Sequence, residues 1–177
     1  MPEHTSILNL ILRSIFVGFG FVVPVAALLK TSNLDKLRFK ELFILTGVQA
    51  VRLGGILYFL MFLIQTYFNW DYVKLYGSNQ LYYWYSPIMY LLISQLFWIK
   101  ALYTKRYTLV AIAVLMLLLP SAKLLLLVGS MQRDYLPATW SMYSMDPFIE
   151  LPLNIIVFIF IIITIMLAGG KFKKIKE

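Results

Sequence analysis

Apart from Lys100, which begins a basic stretch, four charged side chains lie inside long apolar stretches of this 177-residue chain: Arg13, Arg52, Lys123 and Glu150. A charged side chain in hydrocarbon costs at least ~2.5–3.5 kcal/mol, so each of them needs a compensating interaction. Arg13 lies about 9 Å inside its stretch at 1.5 Å per residue, and it can extend outward to water. Because three of the charges are cationic and one is anionic, we expect a partner carboxylate, a lipid phosphate or an anionic substrate to balance the remainder.

Arg52 is the deepest of the four. It lies about ten residues into the stretch that begins at Leu42, or ~15 Å, which is the middle of a ~30 Å hydrocarbon layer. Gln49 is one helical turn away, and Gln95 falls near the middle of the next apolar stretch. Amides can share hydrogen bonds with a guanidinium group but cannot neutralise it. Arg52, Gln49, Gln95 and Arg13 are therefore candidates for binding a partner or an anionic group.

Lys123 and Glu150 are predicted to form an ion pair. Lys123 lies near the end of one apolar stretch, and Glu150 lies in the first turn of the next, where the helix dipole favours a carboxylate. The two residues have similar depth on consecutive antiparallel helices. The alternative is that each side chain reaches the interface separately.

The elements that position these residues are five apolar stretches, each near the ~20 residues that cross a bilayer. They are residues 7–29, 42–67, 85–103, 107–128 and 148–170. The chain is 61% hydrophobic and 14% charged, whereas soluble domains average roughly 45–50% and about 25%. We predict an all-α integral membrane protein, a bundle of five transmembrane helices that forms one domain over 1–177. Ser86-Pro87 and Asp146-Pro147 predict helix starts, because Ser or Asp caps and Pro fits the first turn.

The basic residues predict the orientation of this bundle. Residues 30–41, 100–106 and 171–177 hold four, three and four of the sixteen Lys and Arg residues. The positive-inside rule then places the N-terminus outside and the C-terminus in the cytoplasm. The same residues are expected to contact anionic lipids on the cytoplasmic side, and no nucleic acid. The short N-terminal segment and the lysine bias favour a bacterial cytoplasmic (inner) membrane, with an organellar or endoplasmic reticulum membrane as the alternative.

Two sets of small residues predict close helix packing. Ser14 and Gly18 form a notch on the first helix, and Gly47, Ala50 and Gly54 form a face on the second. Either these two helices pack on each other, or one of the faces receives another helix.

Aromatic residues are concentrated at the side predicted to be outside. The run Tyr82, Tyr83, Trp84 and Tyr85 places four of them at consecutive positions. One interpretation is an aromatic belt at the head-group layer. The other is a docking patch, since Tyr and Trp are frequent anchors of protein interfaces.

The residue inventory argues against catalysis and against a resident cofactor or metal. Cysteine is absent, and the single histidine, His4, precedes the first span. The chain contains no carboxylate pair, nucleophile motif or zinc motif of the common membrane enzymes. We therefore expect a non-catalytic subunit or assembly factor of a larger membrane complex. The alternative is a small transporter or channel component that forms a homo-oligomer and binds an anionic group at Arg52.

Overall fold

The computed structural model describes residues 3–30, 34–68, 70, 80–118 and 147–170, and all regular structure in these ranges is α-helical. The helices are α1 (Glu3–Leu28), α2 (Leu34–Phe68), α3 (Gln80–Leu96), α4 (Lys100–Thr104), α5 (Arg106–Leu118) and α6 (Pro147–Ala168). Three of them contain segments long and apolar enough to cross a membrane, at Leu10–Leu28, Lys36–Phe68 and Leu151–Ala168. These segments support a helical integral membrane protein.

Helix α1 lies at the centre of the bundle and packs against α2, α5 and α6. Its side chains Phe16, Phe19 and Val23 are almost completely buried. Helix α3 packs mainly on α2, and α5 packs mainly on α1. Because apolar side chains gain little from leaving lipid for protein, tight packing is the main force available to hold such a bundle together.

The predicted notch on α1 is confirmed, and it receives α6. A Cβ atom on Gly18 would collide with the side chain of Phe158 and would lie 3.1 Å from the carbonyl oxygen of Asn154. On the second helix, Gly47 and Gly54 face α1. A Cβ atom added at Gly47 would lie 3.4 Å from the ring of Phe19, and one added at Gly54 would lie 3.7 Å from Ile15, which are ordinary contact distances. Helix α2 packs on α1, as the first alternative from the sequence predicted, while the notch takes α6 of the same chain.

Lys40 closes the turn between α1 and α2. Its ammonium group donates hydrogen bonds to the carbonyl oxygens of Ala27, at 3.2 Å, and Leu29, at 2.7 Å. The last carbonyls of a helix have no partner within the helix, and a cation there also favours the helix dipole. A basic residue that the sequence assigned to topology thus also caps a helix end.

The structure differs from the sequence prediction in the third span. The segment 85–103, which was predicted to be one continuous helix, belongs to two helices, α3 and the short α4, which are separated by residues 97–99. Helix α3 also begins at Gln80, so Pro87 lies inside it rather than in its first turn. The described part of α6 begins at Pro147, and Asp146 lies outside the described residues, so the helix start at the Asp-Pro pair stays a prediction.

The predicted fourth span is described only in its first half. Helix α5 begins at Arg106, within one residue of the predicted start, and its described part ends at Leu118. At about 20 Å, this part is shorter than a hydrocarbon layer. Residues 119–146 lie outside the described part of the chain, so five spans and the orientation stay predictions.

Candidate functional site

The interruption between α3 and α4 lies level with the middle of the apolar segments. Phe19 is the central residue of the segment Leu10–Leu28. Its ring packs edge-on against Phe97, at 5.2 Å between ring centroids, and against Phe158, at 6.3 Å. Phe158 is itself within two residues of the centre of the segment Leu151–Ala168. The chain therefore leaves helical geometry beside residues that are central to two of the apolar segments.

The hydrogen bonds at this interruption are those of a tightened turn. The amide groups of Phe97, Trp98 and Ile99 each donate to the carbonyl three residues earlier, at 3.1–3.3 Å, instead of four residues earlier. No proline or glycine lies between Leu96 and Lys100. Phe97 is fully buried, and we attribute the turn to the packing of its ring against α1. Irregular backbone at this depth is tolerated where it is covered by protein or lines a cavity.

Arg52 lies beside this interruption, and its guanidinium contacts two aromatic rings. Its Cζ atom is 5.2 Å from the ring centroid of Trp98 and 4.8 Å from that of Tyr103. A cation over an aromatic face gains about 0.5–2 kcal/mol, more when water is excluded. Its Nε atom is buried and has no hydrogen-bond partner in the described structure. The rings stabilise the charge in part, but they supply neither an acceptor for this N–H nor a counter-charge.

The surroundings of Arg52 open to the side of the bundle. Leu53 is 60% exposed and Trp98 is 58% exposed, and Gln49, one turn away on α2, is exposed as well. Arg52 itself is half-buried and is the central residue of its apolar segment Lys36–Phe68. The arrangement is a laterally open surface at half depth that carries a cation, an amide and an indole. Chemically, it can bind a carboxylate or another oxyanion.

The predicted cluster of Arg52, Gln49 and Gln95 stays a prediction. The amide nitrogen of Gln95 donates to the hydroxyl oxygen of Ser94 at 3.2 Å. Ser94 in turn donates to the carbonyl of Leu91 at 2.8 Å. The contacts that the structure gives to the Arg52 guanidinium are with aromatic rings rather than with the two amides.

Arg13 lies apart from Arg52. It is near one end of the bundle, and the basic residues Lys40 and Arg106 are near the other end. It is exposed and lines a cleft between α1 and α2 together with Tyr58, Phe62 and Gln65. The two arginines therefore belong to different surfaces.

The other predicted site residues lie partly outside the described structure. Lys123 and the side chain of Glu150 are not described, so their ion pair stays a prediction. The side chains of Tyr82 and Tyr83 are likewise outside the described part. Trp84 and Tyr85 are half-buried, and Trp84 packs edge-on against Phe62 at 4.9 Å.

Trp98 and Tyr103, the neighbours of Arg52, were not among the residues predicted from the sequence. The predicted neighbours were hydrogen-bonding amides near the middle of the spans, whereas the rings approach Arg52 from the interrupted segment. A signal was available, since Trp98 lies three residues after Gln95 and so close to the same helix face. Considering ring faces as well as acceptors for the buried arginine would have made Trp98 a candidate.

Comparison of the chain with protein-family models, with curated proteins and with solved structures gives no match.

Proposed function

We propose that this protein is a non-catalytic subunit or assembly factor of a larger membrane complex, and that Arg52 meets an acidic side chain of a partner's transmembrane helix. The observation that carries the proposal is the state of Arg52: it is central in its apolar segment, its Nε is unpartnered, and its surroundings open sideways. Glu41 is the nearest carboxylate on α2, and it lies about 16 Å away along the helix axis.

The surface around Arg52 fits a helix better than it fits lipid. The exposed stripe of α2 includes Gln49, Leu53 and Ile56, at helical spacing. Lipid chains cannot balance the charge of Arg52, whereas a packed helix with an Asp or Glu at mid-depth can. The guanidinium fork suits a bidentate carboxylate contact, with Trp98 and Tyr103 holding the fork in place. In this role the protein needs no catalytic residues of its own.

The membrane setting is part of the proposal. We place the protein in a bacterial cytoplasmic (inner) membrane, with five spans, the N-terminus outside and the C-terminus in the cytoplasm. The support is the distribution of Lys and Arg, because positively charged residues are retained on the cytoplasmic side. Anionic lipids on that side are the expected neighbours of the basic stretches.

The deciding experiment is purification of the protein in mild detergent from its own cells, with Arg52→Leu compared with the unchanged protein. Partner subunits should co-purify with the unchanged protein and should be lost from Arg52→Leu. The isolated variant should remain folded or gain stability, because a costly intramembrane charge has been removed. Arg52→Lys should also lose most of the partner, since a point charge cannot make the bidentate contact.

Arg38→Leu is the matched control, because it removes an exposed arginine from the same helix near its basic end. It should leave the co-purifying subunits unchanged. The chain has no cysteine, so Leu53→Cys gives a single site at which a thiol-reactive photo-cross-linker can be attached and cross-linked to the adjacent partner. If Arg52→Leu retained every subunit bound by the unchanged protein, the proposal would be wrong.

The interrupted third helix favours one second candidate, a small transporter or channel component. Substrate sites of many transporters lie at the midplane beside discontinuous helices, and the 97–99 interruption adjoins Arg52 at this depth. In that case the protein would purify as a homo-oligomer, and Arg52→Leu would abolish uptake of an anion in proteoliposomes without changing the oligomeric state.

A further inference from the structure

A cleft between α1 and α2 lies at the surface that carries Arg13. Its volume is about 270 Å³, and it is lined by Arg13, Tyr58, Phe62 and Gln65. The lining supplies a guanidinium, a phenol hydroxyl and a primary amide, and all three can donate hydrogen bonds to one anionic group. The volume is slightly below the ~300 Å³ at which pockets for drug-sized ligands begin. The cleft therefore suits a small anionic group rather than a large organic molecule.

The cleft lies at the boundary of the apolar layer. Arg13 is three residues inside the start of the segment Leu10–Leu28, which is about 5 Å. Gln65 is three residues from the end of the segment Lys36–Phe68. Lipid phosphate groups lie just outside the hydrocarbon core, within a polar layer that brings the total thickness to about 40–45 Å. Arg13 and Gln65 thus lie near the ends of their apolar segments, from where their side chains can extend toward the depth of the phosphate groups.

Aromatic packing holds the cleft walls in place. The ring of Tyr58 packs edge-on against Phe16, at 5.7 Å between centroids, and against Tyr90, at 5.5 Å. Phe16 and Tyr90 stack at 4.5 Å. On the other side, Phe62 packs edge-on against Trp84 at 4.9 Å. Of the three donors, Tyr58 is held by this packing, and it loses little side-chain entropy when it binds.

We propose that this cleft binds a phosphate group. Arg13 would make the charge-assisted contact, and the Tyr58 hydroxyl and the Gln65 amide would donate further hydrogen bonds. Two sources offer this chemistry, the head group of a phospholipid in the leaflet at this end of the bundle and inorganic phosphate from the adjoining solution. This inference is independent of the partner proposed for Arg52, since the two arginines lie on different surfaces.

The test measures both sources with the full-length protein. Delipidated protein in detergent is titrated with phosphatidylglycerol and followed by native mass spectrometry, and separately with inorganic phosphate and followed by calorimetry. Arg13→Gln is compared with Arg38→Gln, which also removes an exposed arginine. Arg38 lies near the start of α2, whereas the cleft residues of α2 lie near its end. We expect Arg13→Gln to weaken binding about tenfold or more. Arg38→Gln removes one charge from the basic stretch 30–41, so it reports the general attraction of that stretch for anionic lipid and should weaken binding much less than Arg13→Gln.

The two arms separate the sources. Arg13-dependent binding of phosphatidylglycerol assigns the cleft to a lipid head group, whereas Arg13-dependent binding of phosphate without lipid assigns it to the soluble ion. Equal affinities of Arg13→Gln and Arg38→Gln in both arms would overturn the site. Gln65→Leu is a second variant that removes a cleft amide without changing charge, and it should weaken binding severalfold. Unchanged binding by Gln65→Leu, in a variant with normal circular dichroism, would also count against the site.

Discussion

The hydroxyl of Ser14 donates a hydrogen bond to the side-chain carbonyl of Asn154 at 2.8 Å, and both residues are buried. The contact joins α1 to α6, and the two residues are 140 positions apart in the chain. The same hydroxyl oxygen lies 2.8 Å from the carbonyl of Leu10. It is a polar link between the two helices, and it lies one turn from the close contact at Gly18.

Removing this link is expected to weaken the bundle modestly. Ser14→Ala leaves the Asn154 amide without its interhelical partner, and such bonds in membrane proteins average about 0.6 kcal/mol and reach about 1.7. We expect a loss within that range, measured by unfolding in mixed detergent micelles. The double variant Ser14→Ala with Asn154→Leu should recover part of the loss, because no unpaired amide remains. Thr164→Ala is the control, since that exposed hydroxyl bonds only to the carbonyl of Phe160 in its own helix. A loss equal to the control would mean that the link contributes nothing.

A methyl group at Gly18 should separate α1 from α6. The added Cβ would collide with Phe158, and because a Cβ is fixed to the backbone, a helix must move to make room. Overpacking of this kind costs about 1–3 kcal/mol, so Gly18→Ala should lower the thermal midpoint in detergent. Gly47→Ala is the matched control, because a Cβ atom added at Gly47 would lie 3.4 Å from its nearest neighbour, the ring of Phe19. Gly47→Ala should be neutral or stabilising, since alanine favours a helix by up to about 1 kcal/mol. Equal effects of the two substitutions would contradict the packing of α6 in the notch.

The predicted orientation can be tested without altering the native background, because the chain has no cysteine. A single cysteine at Ser78 or Ser141 should react with an impermeant thiol reagent added outside intact cells. One at Ser32 should react only after the cells are opened. The reason is that Ser32 lies within a Lys-rich stretch, which the positive-inside rule retains in the cytoplasm. Labelling of Ser32 in intact cells would reverse the orientation.

Local composition was enough to predict the long apolar helices and the central position of Arg52. The segments Leu10–Leu28, Lys36–Phe68 and Leu151–Ala168 follow the apolar stretches closely, and Arg52 is the central residue of the second. Length and hydropathy are properties of consecutive residues, so they can be read without knowing the fold. Ser14 and Gly18 were recognised as a packing notch for a similar reason, because spacing along one helix places them on one face.

The tertiary structure decided which surfaces meet. Nothing in the sequence of α1 states that its notch receives Asn154 and Phe158 of α6, since this depends on the fit between distant side chains. The interruption at 97–99 lacks proline and glycine, and we attribute it to the burial of Phe97 against Phe19. That turn brings Trp98 and Tyr103 over Arg52. The sequence thus determined where along α2 the half-buried Arg52 lies, because position along a helix follows from counting residues. Only the packing of separate helices decided what surrounds that charge, because ring contacts depend on three-dimensional position.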